Sequence, residues 1–227
     1  KSVKLERNYK VLGWQHPLDQ KTAVLSHKNL TADDLKNIFP EELARRVRSL
    51  SKIGLDKYLI KHLPQLRNGR SRKEVIQLGE AYLKALFDEK YYAQIIKMKE
   101  QGTLSKKWFL GKESQLYWEA LSYIKRKNIP AGRSTIYKLE KLSHKAKQLP
   151  ILFDKIAYRY RLDKEISKAQ FWWDRLLLHF PKHRLAAKSA WELAWSYQQQ
   201  KNTKKALEYI KKGLKTRIYN SEMKAKL

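Results

Sequence analysis

Apolar residues recur at three- and four-residue spacing through most of the chain, which is the period of one helix face. In the segment from Ala186 to Ile218, Ala190, Leu193, Ala194 and Tyr197 share one face. After the turn Gln200-Lys201-Asn202-Thr203, a second predicted helix carries Ala206, Ile210 and Gly213. Thirty-seven residues earlier the pattern repeats, with Phe153, Ile156, Ala157 and Tyr160 on a first helix and Ala169, Trp173 and Leu176 on a second. Pro181 closes that second helix where a breaker is expected.

Weaker copies precede these two. Val75, Leu78, Gly79 and Tyr82 fit a first helix, Asp88-Glu89-Lys90 a turn, and Tyr91, Ala93, Ile95 and Ile96 the start of a second helix. Earlier still, Leu43, Val47 and Leu50 form one face, Gly54 is predicted to end that helix as a left-handed cap, and Tyr58, Leu59 and Leu63 follow. Pro40, Glu41 and Glu42 suit a first helical turn, and Thr31 with Asp33 and Asp34 reads as another helix start. Between the copies, one helix is predicted from Ser105 to Arg126, bearing Trp108, Leu116, Tyr117, Ala120 and Ile124. Asn128-Ile129-Pro130-Ala131-Gly132 reads as its breaker, and a helix from Ser134 to Gln148 follows. The stretch from Gln101 to Pro150 fits the repeat poorly.

The two best copies resemble the tetratricopeptide repeat, a helix-turn-helix unit of about 34 residues. The small residues Ala157, Ala169, Ala194 and Ala206 let paired helices approach closely, and the connector around Pro181-Lys182-His183-Arg184 absorbs the three extra residues. The reading is all-α: an α-solenoid of about five hairpins, for which the resemblance implies a right-handed superhelix. It divides the chain into an irregular arm at 1–30, degenerate hairpins at 31–150 and two tetratricopeptide-like repeats at 151–227.

Composition narrows the function classes. With 42% apolar residues and 26 aromatics (7 Trp, 13 Tyr, 6 Phe), the chain is rich enough in core-forming side chains to fold. Gly and Pro, at 8 and 6, are too scarce for many tight strand turns. With no cysteine there is no disulfide framework, thiolate zinc site or thiol nucleophile. No apolar run reaches the roughly 20 residues of a bilayer-spanning helix. The first residue is Lys1 and no signal-peptide pattern follows it, which reads as a processed chain or a fragment.

Catalytic and metal chemistry find no footing in the sequence. Of the six histidines (His16, His27, His62, His144, His179 and His183), only His179 and His183 are four apart, and Pro181 breaks any helix between them. Phosphate-loop, dinucleotide and nucleophile-elbow motifs do not occur, so no cofactor and no catalytic residue is assigned. Adjacent acid pairs such as Asp88 with Glu89 diverge by about 100° on a helix and read as first-turn or loop acids.

Charge is the louder signal. Fifty Lys and Arg stand against 22 Asp and Glu, a formal +28, spread over many predicted helices. A positive solenoid attracts polyanions, and nucleic acid is one candidate partner. Trp172 and Trp191 fall off the repeat-core positions and are predicted to be exposed. With Arg175 and Lys188 they form the candidate binding residues, while Tyr160, Trp173 and Tyr197 belong to the core.

A narrower resemblance lies in Phe171-Trp172-Trp173-Asp174-Arg175-Leu176-Leu177-Leu178-His179-Phe180-Pro181, followed by Ala190-Trp191-Glu192-Leu193-Ala194-Trp195-Ser196-Tyr197. Together with Arg46 to Leu55 it is similar to the superhelical region of bacterial soluble lytic transglycosylases. That family's catalytic domain carries a Glu-Ser pair with two later motifs. Glu113-Ser114 matches the pair alone, so no catalytic acid is carried over. The resemblance implies a non-catalytic periplasmic scaffold that binds peptidoglycan or an envelope protein, or positions a lytic transglycosylase. The alternatives are a tetratricopeptide adaptor for a protein partner and a basic nucleic-acid-binding repeat.

Overall fold

The computed structural model describes residues 49–52 and 54–216. The predicted arm at 1–30, the helix start at Thr31, Asp33 and Asp34, the first turn at Pro40, and Leu43, Val47, Ile53, His16, His27 and Ile218 lie outside the described residues. All regular structure among the described residues is helical. After a helical stretch at 49–52 come α1 (Asp56–Leu66), α2 (Arg72–Asp88), α3 (Tyr92–Glu100) and α4 (Thr103–Lys106). Then follow α5 (Lys112–Lys125), α6 (Ile129–Leu142), α7 (Leu149–Leu162), α8 (Ile166–His179), α9 (Ala186–Gln199) and α10 (Thr203–Leu214).

One turn recurs through this series. Five helix ends share one closure, each with a residue in the left-handed region: Gly54 (φ 82°), Lys90 (φ 66°), Lys127 (φ 64°), Lys164 (φ 61°) and Lys201 (φ 57°). In each case the amide after that residue donates to a carbonyl five residues back: Leu55 to Leu50, Tyr91 to Leu86, Asn128 to Tyr123, Glu165 to Tyr160 and Asn202 to Tyr197, at 2.8–3.0 Å. This is a Schellman closure, which satisfies the carbonyls a helix end leaves unpaired. The last four turns are 37 residues apart and the first is 36 before them, so the repeat runs through the region where the apolar pattern fits it poorly.

Counting from these turns aligns the packing positions. Ala120, Ala157 and Ala194 occupy one first-helix position, and Gly132, Ala169 and Ala206 the facing second-helix position; all are buried. A Cβ added at Gly132 would lie 3.1 Å from Ile124 Cγ1, so the small side chain sets how closely the hairpin packs. Ala131-Gly132, which reads as a breaker, is therefore the small-residue site of a third regular repeat. Asn128 caps α6 by accepting from the Ala131 amide at 3.2 Å, and Pro130 is tolerated in the first turn.

Left-handed backbone costs an L-residue about 1–2 kcal/mol, part of which glycine returns through its greater freedom in the unfolded chain. Lys164→Gly is therefore expected to raise stability by about 0.5 kcal/mol. A urea midpoint that rises would bear this out; one that falls would mean that the lysine side chain itself stabilises the turn.

The described residues fall into two compact units, divided between Gly111 and Lys112. In the first, α1 packs on α2, α2 on α3, and α3 on the short α4. The turn-based register places Leu83 and Leu86 where the later repeats have Ala157 and Tyr160, one turn beyond the Gly79 and Tyr82 that the sequence pattern suggests. Gly79 has another task. A Cβ there would approach Trp108 Cβ at 3.1 Å, and Tyr82 stacks on the Trp108 ring at 5.0 Å. The helix expected from Ser105 to Arg126 is broken at this point. Trp108 and Leu110 both turn inward and are buried, which leaves Phe109 between them exposed with φ 52°.

The second unit is an array of three hairpins, α5–α6, α7–α8 and α9–α10. Neighbours join through α5 with α7, α6 with α7 and α8 with α9, which is the stacking of an α-solenoid. Polar ties link equivalent helices of successive hairpins. Lys188 of α9 donates to both carboxylate oxygens of Asp154 on α7, at 2.8 and 3.1 Å, and Arg161 pairs with Glu192. On the second helices, Arg175 pairs with Glu140, and the Tyr209 hydroxyl donates to Asp174 at 2.9 Å. Class and architecture of this unit are those of an all-α solenoid of helical hairpins.

Candidate functional site

Three of the four binding candidates from the sequence are structural. Trp172 was expected at the surface, but only 1% of it is exposed. It lies among Phe153 (ring centroids 5.3 Å apart), Phe171 (5.4 Å) and Tyr137 (5.6 Å), so it joins α6, α7 and α8 into one core and cannot present a face to a ligand. Two adjacent large residues on a helix both become buried when it has neighbours on two sides, as α8 has with α7 and α9. Trp172 meets the rings of α6 and α7, and Trp173, also 1% exposed, has the Arg161 guanidinium 5.9 Å from its ring. The guanidinium of Arg175 stands 5.4–5.7 Å from the ring centroids of Tyr137, Phe153, Phe171 and Trp172 while paired with Glu140. Lys188 is held by Asp154, itself 4% exposed. Trp191 is half-buried on α9, at the position corresponding to Asp154.

The side chains that do face outward on the first helices form a different set. Ile151, Lys155, Tyr158 and Leu162 follow one another at three- and four-residue spacing, so they make a single stripe along α7. Of their 37-residue counterparts on α9, Trp195 and Gln199 are exposed, whereas Lys188 is half-buried and Glu192 is buried. Tyr158 and Trp195 are therefore equivalent residues of adjacent repeats, 41% and 43% exposed, and Leu162 is 55% exposed. Arg161 lies 4.8 Å over the Tyr158 ring, and its tie to Glu192 reaches from one helix to the other beside the stripe. Tyr158 is thereby braced against both α7 and α9. The pattern was present in the sequence as the 37-residue pairing of Tyr158 with Trp195, which sits beside the repeat-core positions rather than on them.

The ties that brace this stripe carry an electrostatic cost. Burial, before any other influence, holds the Glu192 carboxyl above its ordinary pKa of 4.5, with the Arg161 and Lys188 charges opposing and Asp154 adding to the rise. A carboxyl with a raised folded-state pKa favours the protonated form. Its contribution to stability is thus complete below about pH 4.5 and declines as pH rises through the raised value. Glu192→Gln is expected to remove that decline, seen as a flatter pH dependence of the urea midpoint from pH 4 to 7. An unchanged slope would show that Glu192 is as well solvated folded as unfolded.

Among the described residues, no group of three His, Asp or Glu side chains is placed to hold a metal ion, and no helix is long and apolar enough to cross a membrane. No protein-family model matches the chain, and no curated protein matches it. Two solved structures are similar to it. One, MamA MSR-1, is 14% identical over 82% of this chain and 97% of its own, with a TM-score of 0.48. The other, MamA AMB-1, is 14% identical over 77% of this chain and 96% of its own, with a TM-score of 0.47.

Proposed function

We propose that the chain is a non-catalytic helical-repeat scaffold that binds a protein partner across the first helices of its second unit. The observation that supports this is the pairing of Tyr158 with Trp195. Two equivalent large aromatics of neighbouring repeats stand on the open face of packed helices, with Leu162 beside them. Aromatic side chains on a rigid support are the usual anchors of protein interfaces, because they bury much area while losing little conformational freedom. Lys155 on the same stripe and the excess of Lys and Arg favour a segment that carries acidic residues next to its apolar anchor. The test is to pan a random peptide display library against the full chain. Selected sequences with an aromatic or aliphatic residue flanked by Asp or Glu support the reading, and enrichment of purely electrostatic sequences opposes it.

The envelope version of this role, in which the scaffold holds peptidoglycan or positions a lytic transglycosylase in the periplasm, draws on the Phe180-Pro181 helix end and the positive charge. Cell-wall polymers carry carboxylates, so the same charge suits them. Binding to purified sacculi that survives moderate salt is the observation this version requires.

A further inference from the structure

The residue that closes each regular hairpin is the one at which glycine is most expected, and in four of the five turns it is lysine. Lys90, Lys127, Lys164 and Lys201 all keep left-handed backbone, are exposed, and make no side-chain hydrogen bond or ion pair among the described residues. Nothing in the packing requires a long side chain there. In the second unit the turns at Lys127, Lys164 and Lys201 come from three successive hairpins, so these ammonium groups lie along one edge, where first helices end and second helices begin. The Tyr158–Trp195 stripe leads toward this edge, its last residues Leu162 and Gln199 each standing two residues before a turn lysine.

Its surroundings deepen the positive character. Lys125 and Arg126 precede Lys127 and are exposed, and Lys204 and Lys205 follow Lys201. The two acids beside Lys164 are neutralised by their own helices, Asp163 by Arg159 and Glu165 by Lys168. We propose that this edge is a second interaction surface, which docks an extended acidic polypeptide segment running across the three turns.

Charge spacing selects that partner. Packed helices lie about 8–10 Å apart, so the turns offer one principal cation roughly every 10 Å. An extended polyproline II segment has three residues per turn and rises about 3.1 Å per residue, so acids at every third residue fall on one face at about that interval. Duplex DNA carries one charge per about 1.7 Å, far denser than this row. No aromatic lies within three residues of Lys127, Lys164 or Lys201 along the chain, and the Tyr160 and Tyr197 rings one turn back already lie under Lys168 and Lys205.

The experiment measures binding of the full chain to poly-L-glutamate, with a duplex DNA of matched total charge in parallel. The edge variant combines Lys127→Gly, Lys164→Gly and Lys201→Gly. A control variant removes the same charge elsewhere, through Lys141→Gln, Lys182→Gln and Lys211→Gln. Because glycine relieves the left-handed turns, the edge variant is expected to melt no lower than the parent, so a loss of binding cannot be put down to unfolding. The expected result is polyglutamate affinity reduced about tenfold in the edge variant, as three exposed ion pairs would give, and little changed in the control. Equal loss in both variants, or loss in neither, overturns the proposal. So does an edge variant whose defect is confined to duplex DNA, which would make the surface a nucleic-acid site.

Discussion

Replacing Trp172 by alanine is expected to lower the unfolding free energy by about 3–5 kcal/mol, the cost of deleting a large aromatic from a closed core. The residue is 1% exposed, and its removal leaves a cavity between Tyr137, Phe153 and Phe171 with the Arg175 guanidinium at its edge. That cavity would be lined by side chains from three helices, so no single rotamer change fills it. Trp195→Ala provides the contrast: 43% exposed, it is expected to cost less than about 1 kcal/mol. Urea unfolding followed by far-ultraviolet circular dichroism separates the two. A small loss for Trp172→Ala, or comparable losses for both, would contradict the burial described above and return Trp172 to the surface role that its place in the sequence suggests.

The second large effect is on recognition. Combining Tyr158→Ala with Trp195→Ala is expected to weaken binding of a peptide selected on the parent chain by about 100-fold or more, since anchors of this kind each contribute about 2 kcal/mol or more. Isothermal titration checks this, with melting curves confirming that the fold persists. A matched control, Leu142→Ala with Leu178→Ala, removes exposed apolar side chains from the second helices α6 and α8; those residues are 45% and 70% exposed. Peptide affinity should be unchanged in that control. Equal loss in both variants would mean that the peptide adheres to apolar surface in general.

Much of this architecture could be read from the chain. The 37-residue offset between Ala157 and Ala194 and between Ala169 and Ala206 defines the last two hairpins, because close helix approach demands small residues and few other positions do. The third hairpin was hidden by its own chemistry. Gly132, the small residue of α6, follows Pro130 and so resembles a helix terminator, although the Asn128 cap makes the same four residues a helix start. In the first unit, Gly79 and Tyr82 mimic the repeat pattern while serving the Trp108 cluster, one turn away from the register that the Lys90 turn fixes.

The candidate face was harder to find, for a physical reason. Side-chain type does not distinguish an aromatic that fills a groove between helices from one that stands beside it. Trp172 and Trp195 are both tryptophans outside the repeat-core positions, yet one is enclosed by rings from α6 and α7 and the other is 43% exposed. Only the approach of Tyr137 of α6 and Phe153 of α7 to the Trp172 face of α8 decides between them. The lysine turns carried a sequence signal that apolar periodicity passes over: the same residue type at four positions separated by 37. A repeat search on all residue types, with polar positions included, would have found it.

The most direct test of the scaffold reading is one binding measurement made on three ligands at rising salt. The full chain is titrated with a selected acidic-apolar peptide, with purified peptidoglycan sacculi and with duplex DNA, from about 50 mM to 300 mM, a range over which screening removes most exposed charge interactions. The account predicts that the peptide remains bound at the highest salt through Tyr158 and Trp195, while DNA binding falls steeply, with a slope near −0.9 per phosphate engaged. Sacculi or DNA held tightly at high salt while the peptide is released would contradict it.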